Sequence, residues 1–435
     1  MRSSADYFNE HEISTHREIQ GADPNAISAT QSIAGADNVE LVNSPTQAGQ
    51  VPTPSTWLKW YNAFKQVLPI YLAIHLAFFI LTYFASLFSL KNFSSQSLPI
   101  STLLDSWERW DSGHFVIIAT KGYDVAWRTA FFPLFPLLER ALALFTHDPF
   151  VAGLIIANLA GLVMLVVLYR LVQEDFDHER AYRTVLYFSV FPTAFFFAAG
   201  YNESLYLCLT LLSFYHLRHG HWWLAGIFGF LASLTRSVGL LLLLPFLYEY
   251  LRQHHFKLRT IRFDIVSSIC IPAGLGIFAL YCYLRFHDPL AFSHAQTIWL
   301  HQLHGPWHGL IDSFLIITQR GILSFDSIHN VIDLSAGLLM LILVTLCFVG
   351  PWKFSRNLWA YALYAAIIYL FSLFFPQAGG FPLASLSRYV LEIFPAFIVL
   401  AAICKKQQFN LYYLTLSGAI LSLMLLQFLT GGWIV

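Results

Sequence analysis

The segment Asp105-Ser-Trp-Glu-Arg-Trp-Asp111-Ser-Gly-His-Phe115 gathers three carboxylates, Arg109 and His114 within ten residues. Asp111 follows Trp110 and shortly precedes Phe115 and the apolar Val116-Ile117-Ile118. That setting holds a carboxylate at a membrane boundary, partly desolvated, where it can act as a general base on a polar acceptor. Asp105 and Glu108 lie further back in the polar part of the segment. Asp124 follows Gly122-Tyr123, which reads as a turn. The plainer alternative is a solvated loop with interfacial aromatics.

Further along, Phe195-Phe-Phe-Ala-Ala-Gly200-Tyr201-Asn202-Glu203-Ser204 ends an apolar run, and Glu203 opens the next helix. A carboxylate there either serves a substrate or satisfies free N–H groups at the helix start. Arg236 lies between two apolar runs, and Arg388 opens another after Gly379-Gly380-Phe381-Pro382. Charges at membrane depth are costly and pair with one another or with an anionic ligand. A guanidinium fits a phosphate through bidentate hydrogen bonds. The competing role for these arginines is structural pairing, for example with Glu203. His294, His301, His304 and His308 follow one another at near-helical spacing, but Gly305-Pro306 interrupts them and no HExxH pattern occurs. They read as interfacial histidines, and neither a metal site nor a cofactor is expected.

Membrane helices must position these groups. Of the 435 residues, 57% are hydrophobic and only 11% charged, with a mean hydropathy of +0.58. A soluble chain carries about 25% charged residues. Long apolar runs make this an all-α, multi-spanning membrane protein. The net charge is zero, so no basic face for nucleic acid is indicated. The five cysteines form no CxxC pair and read as buried hydrophobes. Residues 1–55 are polar, without a signal-peptide pattern, and are expected to be a disordered cytoplasmic tail.

About eleven spans are expected, at 67–90, 150–170, 184–200, 203–217, 222–236, 237–251, 264–284, 333–350, 358–375, 388–404 and 410–433. The run 131–146, with Phe–Pro pairs at 132–133 and 135–136, reads as an interfacial helix. Splitting 222–251 into two spans puts Arg170, Arg180, Arg183, Arg218, Arg252, Lys257, Arg259, Arg262, Lys353, Arg356, Lys405 and Lys406 on one side, which the positive-inside rule makes cytoplasmic. The long loops 91–149 and 285–332 then face outward and carry the chemistry. No nucleotide-binding signature occurs on the cytoplasmic side.

Six strings between about 100 and 395 resemble one family. Arg109-Trp110-Asp111-x-x-His114-Phe115 with Ile118-Ala119-x-x-Gly122-Tyr123 is similar to the first outer loop of the PIG-V mannosyltransferases. Phe131-Phe-Pro-Leu-Phe-Pro-Leu137 resembles their phenylalanine–proline segment, and Tyr201-Asn202-Glu203-Ser204-Leu205 their Tyr-Ser-Glu-Ser-Leu stretch, with Asn for the first Ser. Leu234-Thr235-Arg236-Ser237-x-Gly239 and Ser387-Arg388-Tyr389 also match, and Asp288-Pro289-Leu290-Ala291-Phe292 resembles prokaryotic members. The resemblance implies a GT-C glycosyltransferase fold. It implies transfer of mannose, or a related hexose, from a polyprenyl-phosphate donor to a glycolipid or glycan acceptor, with inversion. It implies Asp111 as the base and Trp110, His114, Tyr201, Glu203, Arg236, Arg388 and Tyr389 as substrate-binding residues. The membrane would be a plasma membrane in a prokaryote or the endoplasmic reticulum in a eukaryote. The rival class is a lipid or small-molecule transporter or flippase. Against it, the ionisable groups cluster at one depth, and no matching broken helices occur in two halves.

Overall fold

The computed structural model describes residues 55–89, 99–322 and 324–432. The expected tail, 1–55, lies outside these but for Ser55. Among the described residues no β-strand forms. A lone antiparallel bridge joins His301 and Gln377.

The helices run in chain order as α1 Thr56–Ser89, α2 Ile100–Asp105, α3 Asp111–Lys121, α4 Leu134–Thr146, α5 Pro149–Asp175 and α6 His178–Ser189. Then come α7 Glu203–Arg218, α8 Trp222–Thr235, α9 Leu243–Gln253, α10 Cys270–Phe286, α11 Ala291–His294 and α12 His308–Arg320. The chain closes with α13 Phe325–Phe348, α14 Trp359–Phe374, α15 Leu386–Tyr389, α16 Phe394–Ile403 and α17 Gln407–Leu429. Local chemistry sets the boundaries. Asp148 caps α5, its carboxylate accepting from Phe150 N at 2.8 Å, with Pro149 in the first turn. Asp177 caps α6 through Arg180 N at 2.7 Å.

Six of the described helical stretches are long and apolar enough to cross a membrane: Thr56–Leu87, Pro149–Asp175, Phe263–Phe286, Ser327–Phe348, Arg356–Phe374 and Gln407–Leu429. A seventh would be the pair Leu386–Glu392 and Phe394–Ile403, bent by 85°. The expected spans at 184–200, 203–217, 222–236 and 237–251 correspond to shorter helices. Pro192 divides the first, so α6 ends at Ser189 and a 3₁₀ turn follows at Ala194–Phe197. The 222–251 stretch breaks at Arg236, where α8 gives way to a 3₁₀ segment, Ser237–Leu242. Gly239 lies so close to Ala232 that an added Cβ would stand 2.5 Å from its carbonyl carbon. Only glycine lets the chain fold back that tightly.

Around α7 the bundle is tied at both ends. Glu203 opens α7 and Arg218 closes it, roughly 23 Å away at 1.5 Å per residue. At the Arg218 end, its guanidinium bonds Asp175 at 2.6 Å and Glu249 at 3.0 Å, and Tyr361 Oη donates to Asp175 at 2.6 Å. At the Glu203 end stands a second charged cluster. The two groups of charges therefore sit at opposite ends of one helix, not along its length.

The helix α4 packs on α3 and α5 and leaves Leu137, Leu144 and Phe145 exposed. Glu139 is buried against Gly153 of α5, and neither carboxylate oxygen has a hydrogen-bond partner. Burial pushes its carboxyl up from 4.5 to about 9. The folded protein thus holds a proton that the unfolded chain releases above 4.5, so this group's contribution weakens as pH rises from 4.5 towards 9. The Glu139→Gln variant is expected to unfold at the same temperature as wild type near about pH 4 and at a higher one near about pH 8. Thermal unfolding at the two pH values checks this, and equal midpoints at the higher pH would refute it.

Candidate active site

Four segments distant in sequence converge at the Glu203 end of α7. The first is the start of α3. Trp110 adopts φ +51°, a conformation that a non-glycine residue holds only when its surroundings enforce it. Two contacts fix the turn: Arg109 Nη2 donates to Leu429 O at 3.1 Å, and Tyr201 Oη donates to Arg109 O at 2.8 Å. Asp111 follows as the first residue of the helix.

Next comes α7, whose first residue, Glu203, is fully buried. Arg236 stands at the break after α8. Last is the segment from Gln377 to Glu392, carrying Arg388. Asp333 of α13 holds it, accepting from Ser387 N at 2.9 Å, while Thr193 Oγ1 donates to Ser387 O at 2.6 Å. Asn330 Nδ2 donates to Gly380 O at 2.8 Å.

These groups form a continuous ionic network. Arg388 reaches Asp111 Oδ2 through Nη1 at 2.8 Å, and Glu203 Oε1 through Nε at 2.6 Å and Nη2 at 2.5 Å. Arg236 Nη1 reaches the same Glu203 oxygen at 2.7 Å and Asn202 Oδ1 at 3.0 Å. Its Nη2 lies 3.0 Å from Glu392 Oε1, a charge contact without hydrogen-bond alignment. The Phe196 and Tyr201 rings lie 4.9 and 4.7 Å from the Arg388 guanidinium, and the Tyr389 ring lies 5.6 Å from that of Arg236. Desolvated cation–π contacts of this kind reinforce the ion pairs.

Exposure separates the members. The Glu203 side chain is 1% exposed, Glu392 3%, Arg388 10% and Arg236 15%, whereas Asp111 is 29% exposed. With all five ionised, two cations face three carboxylates. Asp111 is the member open to an incoming group. The other carboxylates near it in sequence stand apart: Asp105 and Glu108 are exposed, and Asp124 is ion-paired to Arg128, whose hydrogen bond lowers its pKa. His114 lies one turn after Asp111 on α3. Burial lowers its pKa, the nearby Asp111 works against that, and Arg128 adds to it.

Asp111, Glu203, Arg236, Arg388, Tyr201 and Tyr389 are thus brought together, with Trp110 and His114 at the margin. The pairing of the arginines with Glu203, the structural alternative in the sequence, is present. Glu392 and Asp333 were not anticipated. Each is a carboxylate inside an apolar run, which is itself a signal of function or pairing. The histidine stretch assembles nothing metal-like: His294 pairs with Asp288 at 2.7 Å, and no group of three metal-capable side chains occurs among the described residues.

Comparison with known proteins agrees with the motifs. Residues 82–292 match the family Mannosyltransferase (PIG-V), a stretch that holds Asp111, Glu203 and Arg236. GPI alpha-1,6-mannosyltransferase 2 of Cricetulus griseus is 28% identical over 215 residues, 44% of this chain and 43% of the relative. GPI mannosyltransferase 2 of Yarrowia lipolytica is 29% identical over 161 residues, 36% and 44% of the two chains. The chain thus spans less than half the length of the curated relatives it matches. Among solved structures, ArnT from Cupriavidus metallidurans bound to undecaprenyl phosphate aligns over 70% of this chain and 58% of its own, at 16% identity and a TM-score of 0.42. That likeness is too loose to bear on the site. Through residues 82–292, carrying the strings that surround Asp111, Glu203 and Arg236, the chain is similar to the PIG-V mannosyltransferase family.

Proposed function

We propose that the protein transfers mannose, or a related hexose, from a polyprenyl-phosphate donor to a glycolipid or glycan acceptor at the non-cytoplasmic face. The observation that supports this best is Asp111: a half-open carboxylate against Arg388 at the rim of an otherwise buried ionic network. Asp111 takes the proton of the acceptor hydroxyl. The oxygen then attacks the anomeric carbon from the face opposite the phosphate. The bond from that carbon to the phosphate oxygen breaks, its electron pair leaves with the lipid phosphate, and the configuration inverts. A lipid-linked donor already lies in the bilayer, so no nucleotide fold is required. Arg388 and Arg236 would stabilise the charge on the departing phosphate.

The ionic count adds a condition. The arginines are already neutralised, so a phosphate gains Arg388 only by displacing a carboxylate. Asp111 is the exposed one, and leaving Arg388 frees it to meet the acceptor.

The direct experiment incubates purified protein in lipid with radiolabelled polyprenyl-phosphate mannose and candidate glycolipids. Label should pass to an acceptor. Donor that crosses the bilayer without label transfer would favour a transporter instead. Arg388→Lys keeps a charge but cannot span Glu203 and Asp111 with one planar fork. It should raise the apparent KM for donor roughly tenfold or more, and Arg236→Lys less; unchanged donor kinetics in both would leave the arginines purely structural. For orientation, a cysteine replacing Ser293 should react with an impermeant thiol reagent on intact cells and one replacing Ser355 should not. The reverse pattern would invert the proposed face.

A further inference from the structure

We infer that His114, Trp127, Phe131 and Trp299 form a seat for a pyranose ring of the acceptor, an inference that rests on the transfer reading above. Three segments build it. His114 comes from α3, one turn beyond Asp111. Trp127 and Phe131 come from the 3₁₀ turn Ala126–Ala130 and the residue after it. Trp299 ends the turn Ala295–Trp299 of the second long loop. The His114 ring lies 5.2 Å from Trp127 and 4.8 Å from Phe131. Trp299 meets Trp127 at 6.2 Å and Phe131 at 5.9 Å, edge to face in both cases.

Two features distinguish this wall from packing alone. Both tryptophans remain partly exposed, and Phe131 is buried beneath them. The polar groups are also out of keeping with a core. His114 Nδ1 is buried with no hydrogen-bond partner, and the Arg128 guanidinium lies 5.0 Å from the Trp127 ring. An aromatic belt sets its rings at the headgroup level of the bilayer. Here rings from two loops close on one another beside the half-open carboxylate.

A pyranose suits such a seat. One face of the ring is a patch of C–H groups, which settles on the electron-rich face of an indole. Its rim is hydroxyls, which need a few convergent polar groups, and Asp111, His114 and Arg128 stand there. The side is defined as well. Asp111 has Arg388, the phosphate side, as one neighbour and His114 within electrostatic range as the other. The sugar on the His114 side is the one whose hydroxyl Asp111 deprotonates, which is the acceptor.

The test combines kinetics and binding. Trp299→Ala and Trp127→Ala should raise the apparent KM for the acceptor roughly threefold to tenfold while the donor KM and kcat hold. Trp299→Phe keeps an aromatic face and should restore most of the loss. Saturation-transfer NMR with a short mannose-terminated oligosaccharide, without donor, should show transfer to the sugar C–H protons in wild type and Trp299→Phe but not in Trp299→Ala. A rise in donor KM with acceptor KM unchanged would overturn the assignment, as would binding indifferent to both alanine substitutions. The NMR needs no turnover, so loss of this site and failure of the transfer reading are told apart. If an alanine variant does not fold, Trp127→Leu and Trp299→Leu keep bulk but lose the aromatic face, and the transfer should be lost in them as well; transfer retained in both would overturn the seat.

Discussion

Asp111→Asn is expected to lose sugar transfer by about 10²–10⁴-fold, the usual cost of removing a general base, while remaining inserted and monodisperse. The substitution is nearly isosteric. It removes one charge from a side chain that is 29% exposed and that caps a network already rich in carboxylate. Four charges then remain, two of each sign, so the buried arginines keep Glu203 and Glu392 as partners. The same change should tighten the binding of free polyprenyl phosphate, because Arg388 loses the anion that competes for it. Loss of turnover with gain of lipid-phosphate affinity separates a base that yields its place from a residue that only supports the fold. Asp105→Asn and Asp124→Asn should stay near wild type, since the one is exposed and the other is tied to Arg128. Wild-type turnover in Asp111→Asn, together with loss in either of these, would move the base elsewhere.

The reason Asp111 was legible in the sequence is that its signal is local. A carboxylate between Trp110 and an apolar run carries its own argument, and so does an arginine between two apolar runs. Helix α7 beginning at Glu203, and the break at Arg236, likewise follow from residues close by. What joins them was not legible, because no periodicity links Arg388 to Asp111. Their contact depends on how a short helix near the end of the chain is held by Asp333 and Thr193. Two carboxylates of the site are hidden in the sequence for a related reason. Asp333 and Glu392 lie inside hydrophobic runs, and a run counted by its mean absorbs a single carboxylate. The left-handed backbone of Trp110 is equally silent: its cause is the hold of Leu429 and Tyr201 on Arg109, contacts made across the fold. The four central runs look like spans by hydropathy, yet Pro192 and the turn at Gly239 cut two of them into shorter pieces. It is these breaks that bring α7 and Arg236 to the same point.

Glu203 carries the other large effect, and it acts on the fold before it acts on the reaction. One of its oxygens meets both arginines, at 2.5–2.7 Å, and its side chain is only 1% exposed. Removing one partner of a buried pair costs about 3–5 kcal/mol where it leaves a charge uncompensated, and Glu203 is the only carboxylate of the network that meets both arginines. Glu203→Ala leaves Arg388 with Asp111 and Arg236 with Glu392, but it removes the one carboxylate that lies between the two guanidinium groups, so they repel across the gap. It is expected to lower the yield of monodisperse protein severely. Glu392→Gln removes the same formal charge from a contact with Arg236 that is longer and not aligned as a hydrogen bond, and should be tolerated far better. Net charge alone predicts the two variants to behave alike; the geometry predicts them to differ. Glu203→Asp provides the functional arm. It keeps the charge but draws it back by one methylene, so the carboxylate cannot meet both arginines at once. That variant should fold, and its apparent KM for donor should rise with Arg388 displaced. Thermal unfolding of the three proteins, followed by donor titration of those that fold, checks the ranking. Glu203→Ala as stable as wild type would mean that Asp111 and Glu392 suffice to hold the arginines, and Glu203 would not be the element that sets the site.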